Sequence, residues 1–107
     1  MKLLSARSFF TRLFGLLGRP RLDAHTGLYL PGCRSIHTFG MAYTIDVLFV
    51  DRYGHVLRRI DALPPWRVAI CVRANGVVEL PAGYCATNAD YAIDVAHAVR
   101  EATSTIS

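Results

Sequence analysis

The sequence predicts a single α+β domain, β-rich, in which an N-terminal helix and a C-terminal helix flank a mainly antiparallel curled sheet or half-barrel. Three observations carry this. Apolar residues recur at helical spacing near the start and again near the end of the chain. Between them lie short apolar runs separated by proline and glycine, the pattern of strands and turns. The 107 residues supply one domain, 1–107, and no second. Folding at this length hides roughly 60–68% of the unfolded surface, enough for a core without disulfide or metal staples.

Phe9, Phe10, Leu13, Phe14, Leu16 and Leu17 fall on one helical face, with Arg7, Thr11 and Arg12 opposite. Gly18 and Pro20 follow as stop signals, so a helix is expected over about residues 7–17. Leu28 to Leu30 reads as a short strand ended by Pro31-Gly32, and residues 34–39 as another, broken at Gly40. Ile45 to Val50 is a nearly continuous apolar run, expected of a central strand covered on both faces. Asp51 to Gly54 turns the chain, and His55 to Ile60 returns as a hairpin. Leu63-Pro64-Pro65-Trp66 is a rigid connection, because neither proline can donate to a ladder.

Val68 to Arg73 and Val77 to Leu80 are expected to form a second hairpin through a type I′ turn at Asn75-Gly76. After Pro81-Ala82-Gly83, Thr87 or Asn88 caps a helix over about residues 88–102, with fraying after Thr103. Its inward face is small: Ala92, Val95, Ala96 and Val99.

Composition narrows the function classes. The chain is 52% hydrophobic and 19% charged, which excludes intrinsic disorder. Its net charge of +4 comes with Lys2, Arg7, Arg12, Arg19 and Arg21 all ahead of the first acid, Asp23. This basic end is read either as a solvated helix face or as a dock for a membrane surface or an acidic partner. Cys33, Cys71 and Cys85 are odd in number and widely spaced, neither a disulfide framework nor a zinc ribbon, and fit reduced thiols in the cytoplasm. Polar residues from Ser5 to Arg12 interrupt any secretory h-region, and no run approaches the ~20 apolar residues of a membrane span. No P-loop, dinucleotide fingerprint, G-x-S-x-G, H-E-x-x-H or nucleic-acid module signature occurs. No cofactor, metal or nucleic acid is therefore expected.

The polar residues set in apolar surroundings are the candidate site. Asp46, flanked by Ile45, Val47, Leu48 and Phe49, needs a partner or a ligand, since a buried carboxylate is costly alone. Backbone amides of the Thr38–Met41 bend, His37 or Arg67 are the expected donors. Cys33 and His37, four apart in extended chain, point to one face and suit a metal or a nucleophile–base pair. A buried thiol beside a hydrogen-bonded histidine fits the same pattern. Trp66 and Arg67 can frame a pocket, or Trp66 can plug the end of a barrel. His25, His55 and His97 are scattered and read as surface.

Six segments appear in order: Arg12 to Arg19, Gly27 to Leu30, Cys33 to Met41, Ile45 to Asp51, Leu63 to Arg67, and Glu79 to Gly83. Together they resemble the domain of unknown function 192 family over about residues 8–83, with a divergent C-terminal helix at 88–103. The resemblance implies a β-rich α+β fold, occurrence in bacteria and archaea, and no established activity. The chain departs from that pattern at Ala42, where a basic residue is usual, and at Thr44, where a proline is usual. The strand before the first helix is reduced to Met1–Ala6, which leaves a sheet edge open to a protein partner or a weak dimer.

The favoured function is a non-catalytic binding or accessory domain with a shallow pocket near His37, Asp46 and Trp66. The alternatives are a thiol- or metal-dependent enzyme using Cys33, His37 and Asp46, and docking through the basic N-terminal helix.

Overall fold

The structure, a computed structural model, describes residues 1–5 and 24–106. The helix expected at about 7–17 lies outside the described residues.

Five strands form the main sheet: β1 (Lys2–Ser5), β2 (Thr26–Pro31), β4 (Ile45–Val50), β5 (Val56–Leu63) and β7 (Gly76–Pro81). Their spatial order is β1-β2-β7-β4-β5. β1 runs parallel to β2 and every other pair is antiparallel, so the sheet is mixed. A separate two-stranded ribbon pairs β3 (Ser35–His37) with β6 (Val68–Ile70). Two helices follow, a single turn α1 (Tyr84–Thr87) and the long α2 (Tyr91–Ile106).

The nearly continuous apolar run of β4 is explained by its two covered faces: all six of its residues, Asp46 included, are buried. Leu48 and Val50 join Val78, Leu80 and Tyr29 under α1 and α2, where Tyr84, Cys85, Val95 and Val99 complete the cluster. Ile45, Val47, Phe49 and Val77 face the other way and pack against Ile36, Ala69 and Met41 beneath the ribbon. The layers are therefore helices, sheet and ribbon.

Several expectations are corrected. The sheet is neither curled nor a half-barrel; it is open between edges β1 and β5, because the ribbon covers its second face and no closure is needed. The second hairpin does not form. β6 pairs with β3, while β7 is inserted between β2 and β4. Asn75-Gly76 makes no type I′ turn, which requires positive φ at both residues; neither has it, and Gly76 is the first residue of β7. The first strand is present after all: Lys2–Ser5 pairs with Thr26–Tyr29, so the edge at β2 is covered. The first hairpin, β4 with β5, is as expected. The C-terminal helix begins at Tyr91 and continues to Ile106.

Candidate functional site

Asp46 has no exposed surface. It shares its side of β4 with Leu48 and Val50, so its carboxylate points to the helical side of the sheet. There it accepts three backbone amides. Oδ1 takes the N–H of Ala62 at 2.9 Å and of Gly83 at 3.2 Å, and Oδ2 takes the N–H of Cys85 at 3.0 Å. Gly83 and Cys85 lie at the start of α1, whose first amides have no partner within the helix. Ala62 belongs to a bulge, where Asp61 and Ala62 together oppose Asp46 between the pairs Ile45–Leu63 and Val47–Ile60. One carboxylate thus joins β4, the bulge of β5 and the first turn of α1. The donors expected from sequence, the 38–41 bend, His37 and Arg67, are on the other side of the sheet.

The Cys85 Sγ and an Asp61 carboxylate oxygen stand close to Asp46, all within 4.8 Å of one another. This is the one such group of His, Cys, Asp and Glu ligand atoms among the described residues. It is already committed. Burial first and the neighbouring Asp46 charge second push the Cys85 thiol up to about 12, so it keeps its proton. Asp61 is gripped by Arg59 at 2.6 and 2.8 Å, which holds its carboxyl below the ordinary range. Cys33 and His37 do not join Asp46, so the proposed nucleophile, base and orienter do not converge. Cys33 packs instead at the margin of the core under the ribbon.

The ribbon side carries a different arrangement. A cleft of about 440 Å³ is lined by Leu30, Ser35, Ile36, His37, Phe39, Met41 and Glu79. Glu79 shares a side of β7 with Val77 and is only 2% exposed. His37 lies at the exposed rim, its ring 5.3 Å from that of Phe39. Phe39 stacks on Trp66 at 5.7 Å, and the indole is 66% exposed. Trp66 therefore plugs nothing; it extends an aromatic row from the mouth of the cleft. Arg67 is exposed beside it and reaches no acid among the described residues, its guanidinium lying 3.4 Å from the Trp66 carbonyl.

Thr38 fixes this row. Fully buried, its Oγ1 donates to the Pro64 carbonyl at 2.7 Å and accepts the Arg67 N–H at 2.9 Å. Its backbone oxygen accepts the N–H of Trp66 and of Met41, both at 3.2 Å. The bend after β3 and the diproline connection are thereby joined, with Trp66 held at φ 65°.

Of the expected site residues, His37, Trp66 and Arg67 are drawn to one end of the ribbon, while Asp46 is behind the sheet and Cys33 is in the packing. Glu79, Phe39 and Thr38 were not foreseen. Glu79 had the same signal as Asp46, an acid inside the apolar run Val77 to Leu80. Thr38 had none, since its role depends on a loop 26 residues away.

No curated protein matches the chain. Among solved structures it is similar to a protein of Sinorhizobium meliloti 1021 described as a candidate transcription regulator, at 20% identity and a TM-score of 0.60, covering 78% of this chain and 69% of that one. It is also similar to a protein of unknown function from Novosphingobium aromaticivorans DSM 12444, at 18% identity and a TM-score of 0.59, covering 78% of this chain and 64% of that one. This chain thus spans about two thirds of each, and the likeness shows the fold alone. A family model described as uncharacterized ACR matches residues 1–99. With nearly its whole length matched, the chain belongs to the domain of unknown function 192 family (DUF192).

Proposed function

We propose that this domain is a non-catalytic binding module whose ligand site is the cleft between β2, β3 and β7. The observation that carries the reading is the cleft itself. It combines apolar walls from Leu30, Ile36, Phe39 and Met41 with two polar groups, His37 and Glu79, as small-molecule and side-chain pockets commonly do. An apolar group seats against the walls while His37 orients it from the rim. Asp46 contributes rigidity from behind the sheet rather than a contact. The enzymatic alternative loses support because Cys33, His37 and Asp46 stand apart. A cytoplasmic setting fits the three free thiols.

Trp66 is the chain's only tryptophan and stands beside Phe39 at the cleft mouth, so its emission reports occupancy. The experiment is a titration with 8-anilinonaphthalene-1-sulfonate, followed by dye and Trp66 fluorescence. Ser35→Phe, on the exposed wall, narrows the cleft without adding a second indole and is expected to abolish the response at an unchanged melting temperature. An undiminished response in that variant places the binding elsewhere and overturns the proposal.

A further inference from the structure

The far strand of the ribbon, β6, is patterned the wrong way round for a strand that ends at water. Ala69 faces Ile36 across the ladder, and both are buried against the sheet. Side chains alternate along a strand, so Val68 and Ile70 point outward, where they are 57% and 55% exposed. β6 thus buries an alanine and presents its two larger residues to solvent. Trp66 before it and Val72 after it are exposed as well, so every second position from 66 to 72 is apolar and open. Phe39, stacked on Trp66, extends one end. Five of the eight exposed large apolar side chains among the described residues are gathered here, a concentration that marks a contact surface. No residue of β6 lines the cleft, which lies beside β3.

The ladder sets the border of this strip. The Arg67 carbonyl accepts Thr38 N–H at 2.9 Å and Cys71 N–H donates to the Arg34 carbonyl at 2.8 Å. Antiparallel pairing alternates, so Ile70 turns its carbonyl to the free edge of β6. There Arg58, reaching across from β5, donates Nη1 to it at 2.8 Å. Arg67 Nη1 lies 3.4 Å from the Trp66 carbonyl. Two guanidiniums are thereby held at the backbone of Ile70 and Trp66, whose own side chains belong to the strip. Arg73 is exposed beyond Val72, and no acid occurs from Cys33 to Thr44 or from Leu63 to Gly76.

This geometry selects the occupant. Ser35 and His37 stand opposite Ile70 and Val68, so along β6 the apolar surface is one side chain wide. That is too narrow for the extended core of a stable protein pair. A second copy laid face to face would also bring arginines together with no acid to meet them. A lipid surface needs no matching shape. Apolar side chains sink below the headgroups while arginines stay at phosphate level, and an indole is favoured at that depth.

We propose that the outer face of β6 docks on an anionic lipid surface. Val68, Ile70 and Val72 enter below the headgroups, Trp66 sits among them, and Arg58 and Arg67 meet the phosphates. The contact is separate from the cleft and does not depend on what the cleft binds.

The test is flotation of the full chain with vesicles of phosphatidylcholine alone or of equal parts phosphatidylcholine and phosphatidylserine. Binding to the mixed vesicles is expected, with a blue shift of Trp66 emission and quenching by lipids brominated on the acyl chains. Val68→Thr combined with Ile70→Thr keeps the β-branched shapes and should weaken binding by about tenfold or more at an unchanged melting temperature. Arg58→Gln combined with Arg67→Gln should weaken it by a similar factor. Absence of binding, or equal binding to phosphatidylcholine alone, overturns the proposal. Undiminished binding of the threonine variant places the contact elsewhere on the chain and overturns it too. Self-association in lipid-free solution that the threonine variant abolishes, seen by sedimentation equilibrium, assigns the strip to a second copy instead.

Discussion

Asp46 Oδ1 accepts the N–H of Ala62 at 2.9 Å, and Ala62 is held there at φ 51°, in the left-handed region that side-chain-bearing residues rarely enter. The carboxylate and the bulge sustain each other. The bulge turns the Ala62 amide toward β4, and the bond compensates the backbone strain.

Removing the acceptor leaves three amides of Ala62, Gly83 and Cys85 without it. Each buried donor left unmet costs about 1–3 kcal/mol, less where the chain relaxes toward water. Asp46→Ala is expected to destabilise by about 3 kcal/mol or more. Ala62→Gly, which relieves the strained φ and keeps the amide, is expected within about 1 kcal/mol of the parent. Urea unfolding measures both. A loss below about 1 kcal/mol in Asp46→Ala would remove the anchoring role.

The sequence made the importance of Asp46 legible but not its partners. An acid inside a buried strand announces that it must be satisfied, and this much follows from desolvation alone. Who satisfies it depends on which face of the sheet β4 turns to the helices, and no local pattern states that. The same limit explains the ribbon. Val68 to Ile70 and Val77 to Leu80 each read as strands, and Asn75-Gly76 between them is a strong local turn signal. Their separation into two sheets is decided by β7 finding two long-range partners, β2 and β4, which cover both of its edges. Ile45 to Val50 was legible throughout because burial on two faces writes itself into six consecutive positions.

Thr38 links the bend after β3 to the diproline connection, and its hydroxyl works as both donor and acceptor. Thr38→Val keeps the shape and removes both bonds, for an expected loss of about 1–3 kcal/mol. The Trp66 amide depends on the same segment, so the indole should gain mobility, read as lower fluorescence anisotropy at a temperature where the variant is folded. Thr38→Ser retains the bonds and should restore most of the anisotropy. Loss of stability with unchanged Trp66 anisotropy would separate the hydroxyl from the aromatic row.

Cys85 makes stability depend on alkaline pH. Burial and the Asp46 charge raise its thiol from the ordinary 9.0 to about 12 in the folded chain. Below pH 9 both states hold the proton and the Cys85 contribution is fully present. As pH rises above 9, the unfolded chain releases its proton before the folded one does, so stability falls until about pH 12. Burial also raises Tyr29 and Tyr84, which add a loss of the same sign at higher pH. Urea midpoints from pH 8 to 10.5 should therefore fall less steeply in Cys85→Ala than in the parent. In the native parent Cys85 should be the last of the three thiols alkylated by iodoacetamide, being buried where Cys33 and Cys71 are partly exposed. Parallel pH profiles in the two proteins would contradict the assignment.

The turn after β4 is built to approach α2 closely. Asp51 Oδ1 accepts the N–H groups of Tyr53 and His55 at 2.8 and 2.9 Å, and Gly54 completes the turn at φ 85°. A Cβ on Gly54 would lie 2.8 Å from Ala96 Cα and 2.9 Å from both the Ala96 carbonyl oxygen and Val99 Cβ. The small face of the helix thus has a specific use: Ala96 lets α2 approach a turn that itself has no side chain. Gly54→Ala should lose about 3 kcal/mol, from left-handed strain plus displacement of the helix. Gly32→Ala provides the comparison, since Gly32 also has a positive φ, 78°, but nothing within 4 Å of the added Cβ. It should lose only about 1–2 kcal/mol, the strain alone. Urea unfolding of the two variants isolates the helix contact as their difference, and hydrogen exchange along α2 should accelerate in Gly54→Ala only. Equal losses would mean that the turn conformation, and not the approach of Ala96, is what requires glycine at position 54.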